Sequence, residues 1–295
     1  MGACCCRPRS RIQWSDLLLD HKDPKLFTKS QWFDSRGYFL AYRVLVSCYF
    51  LAWLTILCVI RIPDRGSRTF IYLSEWSFII LNCYFLAAAL GALLYTYREY
   101  QQVQRRSEDS EPEPPLLRSS ETSTANTSTN RLPIYLRISW CLFSISAGVC
   151  TMVTMVYWSI LFSAKDATKI SLAIEFNVHL VGTVLLFVDL CISAFPMRVI
   201  HSVYPCIFGM TYVLFSVIYW ASGGVTQSGK TAIYPILDWE DRPLQTVGFV
   251  LLACVLGILG YAIFYGAYRL RVKIFDRYFR RIEPGIQHAS DYNEV

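Results

Sequence analysis

Six long apolar blocks constrain this chain more than any other feature of its sequence. A helix needs about 20 apolar residues to cross a bilayer core roughly 30 Å thick, and six blocks reach that length: residues 38–60, 70–97, 138–162, 170–195, 199–221 and 245–268. The block at 199–221 is the weakest of the six, because Pro205 lies near its start. The pattern predicts an all-α membrane protein, a bundle of six transmembrane helices. It excludes an ordinary cytosolic domain, a disordered protein and a secreted disulfide scaffold.

The basic residues predict the orientation of the bundle. Of the 28 lysines and arginines, 20 fall in segments on the side of the two termini and 7 on the opposite side. Because cytosolic segments carry an excess of Lys and Arg, both termini are predicted to be cytosolic. The net charge of +6 is then a topology signal and gives no reason to expect nucleic acid as a partner. Membrane lipids are the expected surroundings, in the plasma membrane rather than an endomembrane, and any membrane-protein partner is unknown.

Composition divides the chain into five parts. Residues 1–37 form a cytosolic tail with a cysteine and basic cluster, and 38–97 carry the first two helices. Residues 98–137 are predicted to be a disordered cytosolic loop, since most of this stretch is rich in Ser, Thr, Glu and Pro. Residues 138–268 carry the other four helices. Residues 269–295 form a basic amphipathic tail, either lying on the anionic inner leaflet or extending into solvent.

Three consecutive cysteines near the start of the chain suggest lipidation. Cys4, Cys5 and Cys6 precede a run of arginines, and cytosolic cysteines beside basic charge are good substrates for S-acylation. The alternative is that they are exposed thiols without a role. The other eight cysteines lie in or beside apolar blocks, where cysteine behaves as a small hydrophobe. No Cys/His spacing typical of a metal site occurs, so neither a metal nor a cofactor is predicted.

Ionisable residues at membrane depth are expensive and are therefore functional candidates. Glu175 and His179 are four residues apart and share one helix face. Asp189 is predicted to form an interhelical polar clamp with Arg198 near the cytosolic side. Arg43 is predicted to extend its guanidinium to the cytosolic interface, with no chemical role.

A hydroxyl and an imidazole are expected at similar depth on the outer side. Ser74 lies about 6 Å into the second span and His179 about 13 Å into the fourth. Such a pair can act as nucleophile and base. The competing interpretations are a helix cap for Ser74 and a buried interhelical hydrogen bond for His179. In the loop before the last span, Asp238 could orient the imidazole, although an ordinary aromatic interfacial belt explains this loop equally well.

Four short motifs resemble the rolling stone family of multi-pass membrane proteins. They are Tyr-Leu-Ser-Glu-Trp at 72–76, Asn-Val-His at 177–179, His-Ser-Val-Tyr-Pro at 201–205 and Tyr-Pro-Ile-Leu-Asp-Trp at 234–239. The family is distantly similar to the androgen-induced membrane hydrolases, which cleave fatty acid esters of hydroxy fatty acids with an intramembrane Thr and His. This resemblance places Ser74 at the Thr position, a departure from the pattern, and His179 at the His position.

The resemblance leaves three functions open. The first is an intramembrane lipid-ester hydrolase, with Ser74 and His179 catalytic and Glu175 or Asp238 orienting the imidazole. The second is a non-enzymatic membrane protein in cell–cell fusion, since the family implies a role in myoblast fusion. A channel or transporter is a weaker third, because paired broken helices typical of a midplane site are not evident.

Overall fold

A computed structural model describes residues 17–108, 131–162 and 169–278. Within these ranges the chain is helical, and the β-pairing consists of two isolated bridges, Ser30 with Ser193 and Tyr234 with Leu237. Six helical segments are long and apolar enough to cross a membrane, which confirms the predicted fold class. The candidate lipidation sites Cys4, Cys5 and Cys6 lie outside the described residues.

Seven α-helices build the six spans. They are α1 (Arg36–Arg65), α2 (Leu73–Glu108), α3 (Ile134–Val156), α4 (Lys169–Phe176), α5 (Gly182–Ile192), α6 (Val203–Ala221) and α7 (Pro243–Tyr278). A π-helical turn, Tyr157–Leu161, extends α3, and a second, Asn177–Val181, joins α4 to α5 into one span. Short 3-10 segments lie at Pro24–Phe27, Gly66–Ile71 and Val199–Ser202.

The fifth span matches its predicted bounds, Val199–Ala221, whereas the first runs longer than predicted. Pro205 weakened the fifth block, yet it lies in the first turn of α6, where its missing N–H has no helical partner to lose. α1 continues to Arg65, five residues beyond the predicted block, and thereby brings Arg61 onto a helix.

The bundle has two ends, named here by what they carry. The loop end holds the segment 222–242, the end of α1 and the start of α2. The tail end holds residues 17–35, the end of α2 and the end of α7. α3 runs through the centre as the most buried span. Its Phe143 makes edge-on contacts with Tyr84 of α2 and Phe264 of α7, and all three rings are at most 1% exposed.

A close helix crossing joins α3 to α7. A Cβ atom added at Gly260 would lie 2.7 Å from the Thr151 Cβ and 3.3 Å from the Gly148 carbonyl oxygen. Small residues permit such close approach between transmembrane helices, where packing and not water exclusion drives association.

We expect Gly260→Ala to lower the free energy of unfolding by about 1–3 kcal/mol, because a methyl group must displace a packed neighbour. Gly257→Ala is the matched control on the same helix, since a Cβ there would meet no atom within 4 Å. SDS titration of the purified protein, followed by tryptophan fluorescence, measures both. Equal stability of the two variants would contradict the close contact between α3 and α7 at Gly260.

A buried ion pair lies at the tail end and corrects two predictions. Arg43 is 2% exposed and does not reach the interface; its Nη1 lies 2.9 Å from the Oδ2 of Asp189, which is fully buried. The clamp predicted for Asp189 exists, but Arg43 supplies its cation. Arg198 instead donates to the backbone carbonyls of Leu18 and Asp20. α1 and α5 bring the pair together, a proximity that spacing along the sequence does not reveal.

Residues 29–31 and Arg271 cap the end of α5. The Gln31 N–H and the Ser30 hydroxyl both donate to the Ile192 carbonyl, and Arg271 donates to the carbonyls of Leu190 and Phe195 at 2.6 and 2.9 Å. These contacts satisfy carbonyls that have no partner within a helix. The predicted amphipathic tail therefore begins, as far as Tyr278, as a continuation of α7 with one of its arginines buried.

Candidate functional site

A partly enclosed cavity of about 420 Å³ lies at the loop end of the bundle. Ser74 and His179, which the sequence placed at similar depth, both line it. Most of the remaining wall is apolar, from α3, α6, α7 and the segment 233–237. A mostly apolar cavity with a few convergent polar groups is the usual form of a small-molecule site.

Two π-helical turns pack against each other in the wall of this cavity. One carries Tyr157 and the other carries His179, and the two rings stack with centroids 3.6 Å apart and planes 7° apart. A π turn leaves backbone groups without their usual partner, and Trp158 donates its indole N–H to the His179 carbonyl at 3.3 Å. π turns occur frequently at functional sites.

A charged network connects three helices at the cavity wall. Arg61 of α1 donates a hydrogen bond from Nη1 to the carboxylate of Glu75 on α2. Its Nη2 donates to the carboxylate of Glu175 on α4 at 2.6 Å. Glu175 also contacts His179, with Oε2 and Nε2 separated by 3.0 Å. Arg61, Glu75 and His179 are less than 10% exposed. The guanidinium thereby holds two carboxylates of the same site in place.

The contact with Glu175 fixes the role of each imidazole nitrogen. A carboxylate at Nε2 favours the tautomer with the proton on that nitrogen. The other nitrogen, Nδ1, is buried and has no hydrogen-bond partner among the described residues. In this tautomer its lone pair is available as a proton acceptor.

Ser74 lies at the start of α2, and Tyr234 of the loop lines the same cavity. Burial raises the pKa of Tyr234 to about 12, although its interaction with Ser74 acts in the opposite direction. The phenol is therefore protonated at neutral pH and remains a hydrogen-bond donor beside Ser74.

Asp238 lies apart from the imidazole. Its Oδ1 accepts the backbone N–H groups of Glu240 and Asp241, and its own N–H donates to Thr246 at 2.9 Å. These contacts fold the turn that leads into α7. Of the two carboxylates considered as orienting groups, Glu175 is the one in contact with His179.

Sequence reasoning missed Arg61, Glu75 and Tyr157. The charge count includes Arg61 only among the 7 basic residues opposite the termini, and Glu75 appears only within the motif at 72–76. A signal was present, since both are ionisable, Arg61 directly after the first apolar block and Glu75 inside the second. The stacking of Tyr157 depends on π turns, which residue spacing did not indicate.

The site offers acid–base and nucleophilic groups. A hydroxyl, an imidazole oriented by a carboxylate, and a neutral phenol are the components of acyl-transfer chemistry. In the part of the chain that the structure describes, no three His, Cys, Asp or Glu side chains converge as metal ligands.

Comparison with known proteins identifies the family. The family model described as Protein rolling stone matches residues 3–288. The Drosophila melanogaster protein named "Protein rolling stone" is 27% identical over 260 residues, which cover 86% of each chain. No solved structure matches the chain. With six helices in its described residues that are long and apolar enough to cross a membrane, and a family match over nearly its whole length, this chain is a multi-pass membrane protein of the rolling stone family.

Proposed function

We propose that the protein is an intramembrane lipid-ester hydrolase. The observation that carries the proposal is that Ser74 and an imidazole paired with Glu175 line one apolar cavity within the helical bundle. An apolar cavity between membrane-spanning helices suits a substrate that arrives from the bilayer, such as a fatty acyl ester.

The reaction follows from the groups present. Ser74 Oγ attacks the acyl carbon while His179 Nδ1 takes its proton, and Glu175 stabilises the imidazolium that results. The ester C–O bond then breaks, and His179 returns the proton to the departing alkoxide. Water attacks the acyl-serine in the second half, which releases the fatty acid and restores Ser74. We assign the oxyanion donor to the Tyr234 phenol, because it lines the same cavity as Ser74.

Hydrolysis by the purified chain tests the proposal. In nanodiscs, with a long-chain acyl ester of a fluorogenic phenol as substrate, we expect Ser74→Ala and His179→Ala each to lower kcat/KM by at least about 100-fold. Ser74→Thr retains the hydroxyl and keeps measurable activity. Ser107→Ala removes a hydroxyl at the far end of the same helix and leaves the rate unchanged.

Two results would remove the hydrolase proposal. One is wild-type protein that cleaves no acyl ester. The other is a Ser74→Ala, His179→Ala double variant as active as wild type. If that double variant also restored cell–cell fusion fully in cells lacking the protein, the non-enzymatic alternative would be favoured.

A further inference from the structure

A second cavity, at the tail end of the bundle, is basic. It has a volume of about 820 Å³ and lies between residues 24–36, the end of α2 and the start of α3. Four cations line it, Lys25, Arg36, Arg98 and Arg131, against the single carboxylate of Glu99. We call it the basic pocket.

The carboxylate of Glu99 is already occupied. Arg36 donates to it directly and the Lys25 ammonium lies 3.9 Å away. Arg98 lies over the Tyr135 ring at 5.2 Å. Among the described residues, neither Arg98 nor Arg131 has a carboxylate partner. Within the described part of the chain, the basic pocket therefore presents two exposed guanidinium groups that no carboxylate neutralises.

The basic pocket is at the membrane interface opposite the Ser74 cavity. Arg98 lies 24 residues beyond Ser74 on α2, about 36 Å along the helix, and the hydrocarbon core is roughly 30 Å thick. Tyrosines at positions 95, 100 and 135 line the basic pocket, as expected at headgroup level. The excess of Lys and Arg at this end predicts that it faces the cytosol, whose leaflet carries the anionic lipids.

An apolar track leads from the basic pocket into the bilayer. Leu90, Leu94 and Arg98 are spaced by four residues and so share one face of α2. Leu90 is 49% exposed and Leu94 44% exposed, which in a membrane means contact with acyl chains. A molecule with a phosphate group at Arg98 and acyl chains along these leucines fits this face better than a free anion does.

We infer that the basic pocket binds the phosphate-bearing headgroup of an anionic phospholipid. Arg98 and Arg131 supply the charge-assisted hydrogen bonds, since guanidinium groups match phosphate oxygens in geometry. Such basic pockets between helices are a recurring form of headgroup site.

Binding of a fluorescent short-chain phosphatidylinositol bisphosphate to the full chain, in neutral detergent, tests the inference by anisotropy. Each basic residue near an anionic lipid accounts for roughly a fivefold change in affinity. We therefore expect the Arg98→Gln, Arg131→Gln variant to bind about 25-fold more weakly than wild type. The control variant Lys273→Gln, Arg277→Gln removes the same charge from exposed positions on α7 and should change binding less than about twofold.

Three outcomes would overturn the inference. They are no binding by wild type, equal weakening in both variants, and soluble inositol trisphosphate binding as tightly as the lipid, which would assign the site to a free polyphosphate. Both substitutions replace exposed side chains, so loss of the fold is not expected, and an unchanged SDS titration confirms that. The anisotropy assay measures binding and not ester cleavage, and the Ser74→Ala variant can be used throughout so that the acyl esters of the probe stay intact, so failure to bind leaves the hydrolase proposal untouched.

Discussion

Replacement of Arg43 by methionine should lower the free energy of unfolding by about 3–5 kcal/mol, the effect of leaving a buried charge without its partner. Asp189 is fully buried, and its carboxylate accepts hydrogen bonds from Arg43, Tyr42 and Tyr84. Arg43 also donates to Ser193 at 2.9 Å. Without the guanidinium, a carboxylate would remain in an apolar bundle with two phenols as its main support. SDS titration followed by tryptophan fluorescence gives the size of the loss.

Arg36→Met is the matched control for this prediction. Arg36 is on the same helix and also pairs with a carboxylate, but its side chain is 51% exposed, so its loss should change stability by less than about 1 kcal/mol. An Arg43→Met, Asp189→Leu double variant should recover part of the loss, because no unpaired charge is then buried. Full wild-type stability of Arg43→Met alone would show that the ion pair does not hold α1 against α5.

The membrane spans could be predicted from the sequence because they depend on one local quantity, the length of each apolar block. Six apolar blocks of sufficient length remain six blocks however the helices pack. Pro205 made the block at 199–221 the weakest of them but did not change their number. The family could also be named from short motifs, since the residues at 72–76 and 234–239 are informative as strings. Neither inference requires knowledge of which helices are neighbours.

Partners across helices could not be predicted in the same way. Arg43 and Asp189 lie 146 residues apart, and an arginine near a span end reaches either the interface or a buried carboxylate, depending on packing alone. The same holds for Arg61, which a longer α1 carries to the cavity wall. By contrast, Glu175 and His179 were found together because a spacing of four residues places them on one helix face whatever surrounds them.

The candidate site also divides into residues that the sequence reveals and residues that only the packing of the helices brings in. Ser74 and His179 could be proposed from composition, depth and resemblance, and the structure places both at one cavity. Tyr157 and Tyr234 enter it through a π turn and a loop, whose geometry is set by tertiary contacts. The sequence thus supplied Ser74, His179 and Glu175, whereas the positions of Arg61, Tyr157 and Tyr234 around them required the structure.

Arg61→Met should destabilise the protein by about 3–5 kcal/mol, because one guanidinium is the shared cation of a buried carboxylate, Glu75, and a half-buried one, Glu175. Glu75 is 1% exposed and has a second carboxylate oxygen without a hydrogen-bond partner among the described residues. Among the described residues, Glu175 would keep the imidazole of His179 as its ion-pair partner. SDS titration measures the loss. Arg65→Met, one turn further along α1, is the control, since Arg65 is 33% exposed and pairs weakly with Asp64 at 4.0 Å.

Two further variants separate the charge of Arg61 from its shape. Arg61→Lys keeps the charge, but a single ammonium cannot bridge two carboxylates as the two ends of a guanidinium do, so we expect it to restore only part of the stability. Arg61→Met combined with Glu75→Gln and Glu175→Gln removes the unpaired charges and should be more stable than Arg61→Met alone. If the triple variant is no more stable, the loss comes from packing of the arginine side chain, and Arg61 then shapes the cavity without balancing its charge.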